Sequence, residues 1–337
     1  MITRLRLMIL LARPAVVVIV AMFAAVGLAQ AGHDGGHLDV VRILLVVLGF
    51  VLFSVACNDL ADEAIDRVNL PGDRRRPLVT GAADRRQMIA VALVCATVAL
   101  AAAATIGTPA VAVTCAGLTV SAGYSLRPVR LADRGAVASL VLPACYVAVP
   151  YLLGVLAVSS SVRTEDLLLL TGLYVGFIGR ILLKDFRDVR GDALFGKRTF
   201  LVRHGRAWTC AISAACWVAG TLLALAAVRQ PTPALAAANV AGVAGTLWLL
   251  RALVRPATPR QEEALISATA IIGRGLVLVL LAHLSLLNAH WSTSGYHAVM
   301  AALAFMVASQ AISMVRHGPP TRRLPDVRRQ HSTRAAD

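Results

Sequence analysis

The chain has 337 residues, of which 58% are hydrophobic, 15% charged and 5% aromatic, and its mean hydropathy is +0.73. Charged residues make up about a quarter of a typical soluble domain, so this composition excludes an ordinary soluble protein and indicates an integral membrane protein. The formal net charge of +15 does not indicate nucleic-acid binding, because arginines placed between apolar segments are explained by membrane topology.

Ten apolar runs, most of them long enough to cross the hydrocarbon core, follow one another along the chain. We interpret the first run as a membrane span rather than a cleaved signal, because it leads directly into further hydrophobic segments. The pattern predicts an all-α polytopic protein with nine to ten transmembrane helices. The runs are 14–31, 39–58, 87–106, 109–123, 136–158, 166–183, 207–228, 233–254, 264–288 and 296–315.

The basic residues are distributed unevenly between the two sides of such a bundle. If the N-terminus is cytoplasmic, 28 of the 33 Lys and Arg residues fall in the cytoplasmic segments. The positive-inside rule therefore predicts that both termini lie in the cytoplasm. The strong preference for arginine (31 Arg, 2 Lys) and the many Ala and Val residues suggest a bacterial plasma-membrane protein. Residues 1–315 form the predicted transmembrane domain, and the basic, proline-containing segment 316–337 is predicted to be a disordered tail.

A cluster of oxygen ligands lies at the cytoplasmic end of the second run. Asp59, Asp62 and Asp66 are spaced i, i+3 and i+7, and Asn58, Asp62 and Asp66 are spaced i, i+4 and i+8, so on a helix they project from overlapping faces. Stacked carboxylates repel one another. A hard divalent cation with oxygen ligands offsets that repulsion, which makes Asn58, Asp62 and Asp66 candidate ligands of Mg²⁺.

The sixth run ends in a comparable cluster, in which Asp185, Asp188 and Asp192 are again spaced i, i+3 and i+7. Magnesium typically joins a few carboxylates to substrate phosphates, so two such clusters on one membrane side predict a diphosphate clamp with Asp188 and Asp192 as further metal ligands. A solvated helix end is the alternative for either cluster alone. A transporter is the rival for both, although transporters more often place such acids in mid-helix.

Basic residues follow each acidic cluster, and arginine offers a planar fork for phosphate oxygens. We predict that Arg76, Lys197 and Arg198 contact phosphate. The alternative for all of them is a purely topological role, which we assign to Arg85, Arg86, Arg203 and Arg206.

These residues resemble the UbiA superfamily of intramembrane prenyltransferases. The signature N-D-x-x-D-x-x-x-D is matched by Asn58, Asp59, Asp62 and Asp66, and D-x-x-x-D is matched by Asp188 and Asp192. Residues 73–81 resemble the family's R-P-L-x-x-G continuation. Residues 124–130 resemble its Y-S-x-x-P element, which makes Tyr124, Arg127 and Arg130 candidates for contact with diphosphate or acceptor.

The resemblance implies a helical bundle around a central cavity and a Mg²⁺-dependent reaction. An allylic isoprenyl diphosphate would ionise between the two aspartate motifs, which hold the catalytic residues Asn58, Asp59, Asp62, Asp66, Asp188 and Asp192. An acceptor, with aromatic acceptors favoured, would capture the isoprenyl cation inside the lipid membrane. A terpene cyclase or a polyprenyl-phosphate phosphoribosyltransferase of the same superfamily is the alternative. The family fold has nine helices, so the run 296–315 is an additional span or one of the ten runs is wrongly divided.

Overall fold

The computed structural model describes residues 11, 13–32, 36–69, 76–186, 199–288 and 292–319. They form helices joined by short loops, and no β-strand occurs among these residues, which confirms the predicted all-α fold. The helices are α1 (Pro14–Gln30), α2 (His37–Asn69), α3 (Pro77–Thr80), α4 (Arg85–Ala104), α5 (Thr108–Ser125), α6 (Ala136–Pro143), α7 (Val149–Leu156), α8 (Thr164–Leu182), α9 (Phe200–Ala227), α10 (Pro233–Val254), α11 (Pro259–Asn288) and α12 (Thr293–His317).

The described part of the chain contains seven helical segments that are long and apolar enough to cross a membrane. They are α2, α4, α6 joined to α7, α9, α10, α11 and α12, and α1 is a shorter apolar helix. Helices α5 and α8 coincide with the other two predicted runs. A polytopic membrane protein is therefore confirmed, while the number of crossings stays a prediction.

Local capping signals fix where these helices begin and end. Asp84 starts α4 with a capping box, in which its carboxylate accepts from the Gln87 N–H at 2.7 Å and the Gln87 side chain accepts from the Asp84 N–H at 3.1 Å. Hydroxyl groups of Thr232 and Ser292 cap α10 and α12. Gly318 ends α12 with a φ of +74°, which glycine adopts without steric cost. The starts of α4, α10 and α12 and the end of α12 are thus set by residues at the helix termini themselves.

The predicted run 136–158 is not one regular helix. After Pro143 the chain forms a π-helical turn over Ala144–Ala148 before α7 begins. Proline has no N–H to donate within a helix, and a wider turn absorbs the lost hydrogen bond. The turn carries Cys145 and Tyr146, both of which line the central cavity described below.

Contacts between helix ends tie the bundle together at both membrane faces. At one face Arg13 pairs with Asp59, and Arg206 on α9 binds Glu262 on α11 at 2.7 Å. At the other face the Arg163 guanidinium donates to the Gln30 carbonyl at 2.9 Å. The former face, which we call the acidic-motif face, carries the C-terminal ends of α2, α5, α8, α10 and α12.

Two glycines let α1 and α7 approach at backbone distance. A Cβ built on Gly27 would lie 2.1 Å from the Tyr151 carbonyl oxygen, and one built on Gly154 would lie 2.1 Å from the Ala24 carbonyl oxygen. Membrane helices associate through such small residues because lipid provides no hydrophobic driving force between them. The α1–α7 crossing therefore depends on the absence of side chains at these two positions.

Helix α12 packs on α11 but leaves most of its own surface exposed. Its carboxyl end passes the predicted domain boundary at residue 315 and continues to His317. The rest of the predicted tail, residues 320–337, lies outside the described residues. All six cysteines are free thiols.

Candidate active site

A cavity of about 140 Å³ opens between the helices at the acidic-motif face. Its polar wall comes from separate parts of the chain: Asn58 and Asp62 on α2, Tyr124 on α5, and Lys184 with Asp185 just after α8. Its apolar wall includes Phe50, Val51, Val55, Leu142, Cys145 and Tyr146. Asn58 and Asp62 of the first acidic cluster and Asp185 of the second therefore face one space.

The helix divides the first acidic cluster between two surroundings. Asn58 and Asp62, four residues apart, share a face that lines the cavity, and the Asn58 amide donates to the Asp62 carboxylate at 2.6 Å. Asp59 and Asp66 are buried on a different face. Asp66, a predicted metal ligand, is thus directed towards an arginine rather than into the cavity.

That arginine is Arg76, the residue before α3. Its Nη1 atom lies 2.5 Å from the Asp59 carboxylate and 2.8 Å from the Asp66 carboxylate, so one guanidinium bridges both acids. Arg13 contacts the same Asp59 oxygen. In the described part of the chain the other Asp59 oxygen is buried without a hydrogen-bond partner. Arg76 was predicted to bind phosphate, but it is not among the residues that line the cavity.

The segment after α5 supplies the partner of Asp62. Arg130 donates to the Asp62 carboxylate at 2.9 Å and to the Ala61 carbonyl at 3.0 Å, and its Nε atom pairs with Asp133 at 2.5 Å. Arg130 therefore reaches the rim of the cavity, whereas Arg127 is exposed and does not line it. Of the three candidates from this segment, Tyr124 lines the cavity directly.

Only the beginning of the second cluster is described. Lys184 and Asp185 line the cavity, as does Thr199 at the start of α9. The other predicted site residues of this segment, Asp188, Asp192, Lys197 and Arg198, lie outside the described residues. Their roles stay predictions.

Sequence reasoning missed two contributors to the cavity wall. Arg13 was not distinguished from the other basic residues of the cytoplasmic segments, among them Arg4 and Arg6 nearby in the sequence. Tyr146 was missed because it lies within an apolar run, although its ring stacks on Phe177 with centroids 5.6 Å apart. An aromatic residue beside a helix-interrupting proline was the available signal.

The described carboxylates do not form a complete metal centre: no group of three or more His, Cys, Asp or Glu side chains in this part of the chain is arranged to hold an ion. Asn58, Asp62 and Asp185 nevertheless bring oxygen atoms to one cavity. This donor set fits Mg²⁺, which is typically bound by one or two carboxylates together with water and substrate phosphate.

Known proteins share both the sequence pattern and this architecture. Over 169 residues the chain is 29% identical to the bacteriochlorophyll synthase 33 kDa chain of Cereibacter sphaeroides, a match that covers 48% of this chain and 55% of that protein. The chain thus spans about half the length of the curated relatives it matches. Its fold is similar to a digeranylgeranylglyceryl phosphate synthase structure, with a TM-score of 0.67, 15% identity, and coverage of 84% of this chain and 99% of that one.

A second structural neighbour is a UbiA homologue from Archaeoglobus fulgidus bound to DMAPP and Mg²⁺. Its TM-score is 0.55 at 14% identity, and the alignment covers 91% of this chain and 98% of the homologue. At 14–15% sequence identity, these two structural similarities establish a shared fold only. The sequence profile of the UbiA prenyltransferase family matches residues 17–272. With the family profile covering most of the sequence and the family fold present, this chain belongs to the UbiA prenyltransferase family.

Proposed function

We propose that this protein transfers an isoprenyl group from an allylic isoprenyl diphosphate to an acceptor inside the membrane, with Mg²⁺ as cofactor and an aromatic acceptor favoured. One observation carries the proposal: Asn58 and Asp62 share a cavity with Lys184 and Asp185 although the two pairs lie far apart in the sequence. Carboxylates can bind Mg²⁺, and a neighbouring lysine can bind phosphate oxygens, so together they are suited to binding a diphosphate with its Mg²⁺ ion. The Archaeoglobus fulgidus homologue, which is bound to DMAPP and Mg²⁺, supports this choice of donor.

The polar wall would bind and orient the diphosphate. Asn58, Asp62 and Asp185 would hold Mg²⁺, which draws negative charge from the departing diphosphate. Lys184 lines the same cavity, and its ammonium group would bind phosphate oxygens as a point charge. Arg130 keeps the Asp62 carboxylate in place through its 2.9 Å contact. These side chains would orient the leaving group towards the polar end of the cavity.

The apolar wall would receive the isoprenyl group. Phe50, Tyr124 and Tyr146 line the cavity next to aliphatic side chains. Such a lining would shield the carbon centre that becomes cationic from water. Aromatic faces attract a cation and also stack on an aromatic acceptor. This lining favours capture by an aromatic acceptor over a polar one.

The decisive experiment incubates the purified chain in liposomes with Mg²⁺ and radiolabelled isoprenyl diphosphates, with and without phenolic or tetrapyrrole acceptors. We expect release of diphosphate coupled to a labelled acceptor adduct, and loss of both after chelation of Mg²⁺. Release of diphosphate with an isoprenoid product but no adduct would indicate a cyclase. Donors left intact while phosphoribosyl diphosphate is consumed with a polyprenyl phosphate would indicate a phosphoribosyltransferase, and no turnover of either kind would favour a transporter.

Exchanging arginine for lysine tests the basic residues next to the motifs. We expect Arg76→Lys to raise the KM for the diphosphate donor roughly tenfold, because the lysine side chain is one bond shorter than the path to the guanidinium Nη1 atom that bridges Asp59 and Asp66. A charge-assisted hydrogen bond is worth about 1.5–3 kcal/mol, and 1.4 kcal/mol corresponds to tenfold. Donor titrations at constant acceptor measure the effect, and we predict the same for Arg198→Lys.

Arg86 provides the matched control because it is exposed on the same membrane face. Arg86→Lys should leave the KM unchanged within about twofold, as expected of an exposed charge. Equal KM values for Arg76→Lys and Arg86→Lys, at equal protein levels, would show that Arg76 does not affect donor binding and would restrict its role to the ion pairs with Asp59 and Asp66.

The membrane orientation is a further part of this proposal. Ala82 and Ser160 are exposed at opposite ends of the bundle, and the positive-inside rule places Ala82 and the tail residue Ser332 in the cytoplasm. A cysteine introduced at Ser160 should therefore react with an impermeant maleimide in intact cells, while cysteines at Ala82 and Ser332 should react only after permeabilisation. The chain without introduced cysteines is the control for labelling of the native cysteines. Outside labelling at Ser332 alone would show that α12 does not cross the membrane as predicted.

A further inference from the structure

A second cavity lies away from the candidate active site, between α10, α11 and α12. Its volume is about 470 Å³ and its walls are almost entirely apolar. Trp248 on α10 and Ala304, Ala308 and Ile312 on α12 line it with side chains that are exposed at the protein surface. This space, the α12 groove, is therefore open towards the surrounding hydrocarbon rather than enclosed in the core.

The α12 groove ends in a basic pocket at the acidic-motif face. There it adjoins another cavity, of about 560 Å³, and the two share Val315 and Arg316. Arg260 at the start of α11 lines the second cavity and donates to the carbonyl oxygen of His317 at 3.1 Å. Neither Arg260 nor Arg316 forms an ion pair with a carboxylate in the described part of the chain. The nearby Glu262 is engaged by Arg206.

The dimensions of the α12 groove match one leaflet of a bilayer. Along α12 its lining extends from Ala304 to Arg316, which at 1.5 Å per residue is about 18 Å. Half of a hydrocarbon core of about 30 Å is roughly 15 Å. A ligand with its charged group at Arg316 would thus extend an acyl chain to about the middle of the membrane.

We propose that the α12 groove and its basic end bind an anionic phospholipid of the leaflet on the acidic-motif face. The acyl chain lies along Trp248 and Ala308, and the phosphate lies between Arg260 and Arg316. Basic pockets between transmembrane helices bind anionic headgroups in this way. The basic tail of the chain is a poor occupant, because its arginines would meet two further arginines. This inference does not depend on the proposed transferase activity.

Fluorescence of Trp248 reports on the occupant directly. The full chain is reconstituted in phosphatidylcholine vesicles that contain increasing fractions of brominated phosphatidylglycerol or brominated phosphatidylcholine, and quenching is compared between the chain and its Trp248→Phe variant. The difference isolates the signal of Trp248. We expect phosphatidylglycerol to be preferred by at least about fivefold, since one basic residue near an anionic surface contributes about 1 kcal/mol.

Two variants separate the headgroup contact from the groove. Arg260→Gln combined with Arg316→Gln should reduce the preference to near one, whereas Arg203→Gln, which removes an exposed arginine on the same face, should retain it. Ala308→Phe should weaken quenching by both lipids because it fills the exposed side of the α12 groove. Ala308→Phe also keeps the test valid if the double variant fails to fold.

Several outcomes would overturn the proposal. Equal quenching by the two brominated lipids in the unmodified chain would show that the site does not select an anionic headgroup. A preference that survives in the double variant, or that falls equally in Arg203→Gln, would assign it to general surface charge. A preference that remains in Trp248→Phe would place the lipid elsewhere, and undiminished quenching in Ala308→Phe would exclude the α12 groove.

Discussion

Replacing Asp62 by Asn is expected to lower the rate of diphosphate release by about 100-fold or more while the protein remains folded and inserted. Asp62 is the carboxylate of the first motif that lines the cavity, where Asn58 and Arg130 hold it at 2.6 and 2.9 Å. Asparagine keeps the shape of the side chain but removes the charge that would bind magnesium, and loss of one electrostatic contact to a transferring group typically costs 10²–10³ in rate. Steady-state assays in liposomes at saturating donor measure the change. By the same reasoning Asp188→Ala should abolish turnover.

The neighbouring acid supplies the matched control. Glu63 follows Asp62 directly, yet it pairs with Arg67 at 2.9 Å and with Arg85 at 2.6 Å instead of lining the cavity. Exposed ion pairs contribute about 0–1 kcal/mol, so Glu63→Gln should retain activity within about threefold. Asp62→Asn with full activity, or Glu63→Gln with an equal loss, would remove Asp62 from the proposed clamp.

The Gly154→Ala variant is expected to destabilise the bundle strongly. An added Cβ would lie 2.1 Å from the Ala24 carbonyl oxygen and 2.8 Å from the Leu28 nitrogen, and backbone atoms cannot move aside without separating α1 from α7. Overpacking typically costs about 1–3 kcal/mol and sometimes more. Thermal unfolding in detergent, followed by light scattering or by thiol labelling of buried cysteines, should show a clearly lower midpoint. Gly27→Ala meets the Tyr151 carbonyl oxygen at the same distance and should behave alike.

Gly176 on α8 is the control for this substitution. A Cβ at Gly176 meets no atom within 4 Å. Gly176→Ala should therefore leave the midpoint unchanged or raise it slightly, because alanine is favoured over glycine inside a helix by roughly 0.5–1 kcal/mol. An equal loss of stability in Gly154→Ala and Gly176→Ala would mean that close packing of α1 on α7 is not the cause.

The first acidic motif shows which features of the site can be predicted from residue spacing and which cannot. The i, i+4 spacing of Asn58 and Asp62 correctly placed both side chains on one face. The same argument treated Asp66 as equivalent, but Asp66 pairs with Arg76, which comes from a different segment of the chain. Helical periodicity determines which side chains lie on the same face of a helix. It does not determine which residues from other segments pack against that face.

The sequence by itself determined the membrane class, the helical architecture, the positions of the apolar helices and the family signature, because these depend on local composition, length and capping. The tertiary structure alone decided which acids face the cavity, that Arg13 and Tyr146 contribute to it, and that Pro143 introduces a π-helical turn. It also decided that α12 forms a groove with α10 and α11 that ends at Arg316. The cavity and the groove arise from contacts between segments distant in the chain, which are set by helix packing rather than by local sequence. The π-helical turn follows from the local effect of Pro143, but the sequence pattern of an apolar run does not distinguish such a turn from a regular helix.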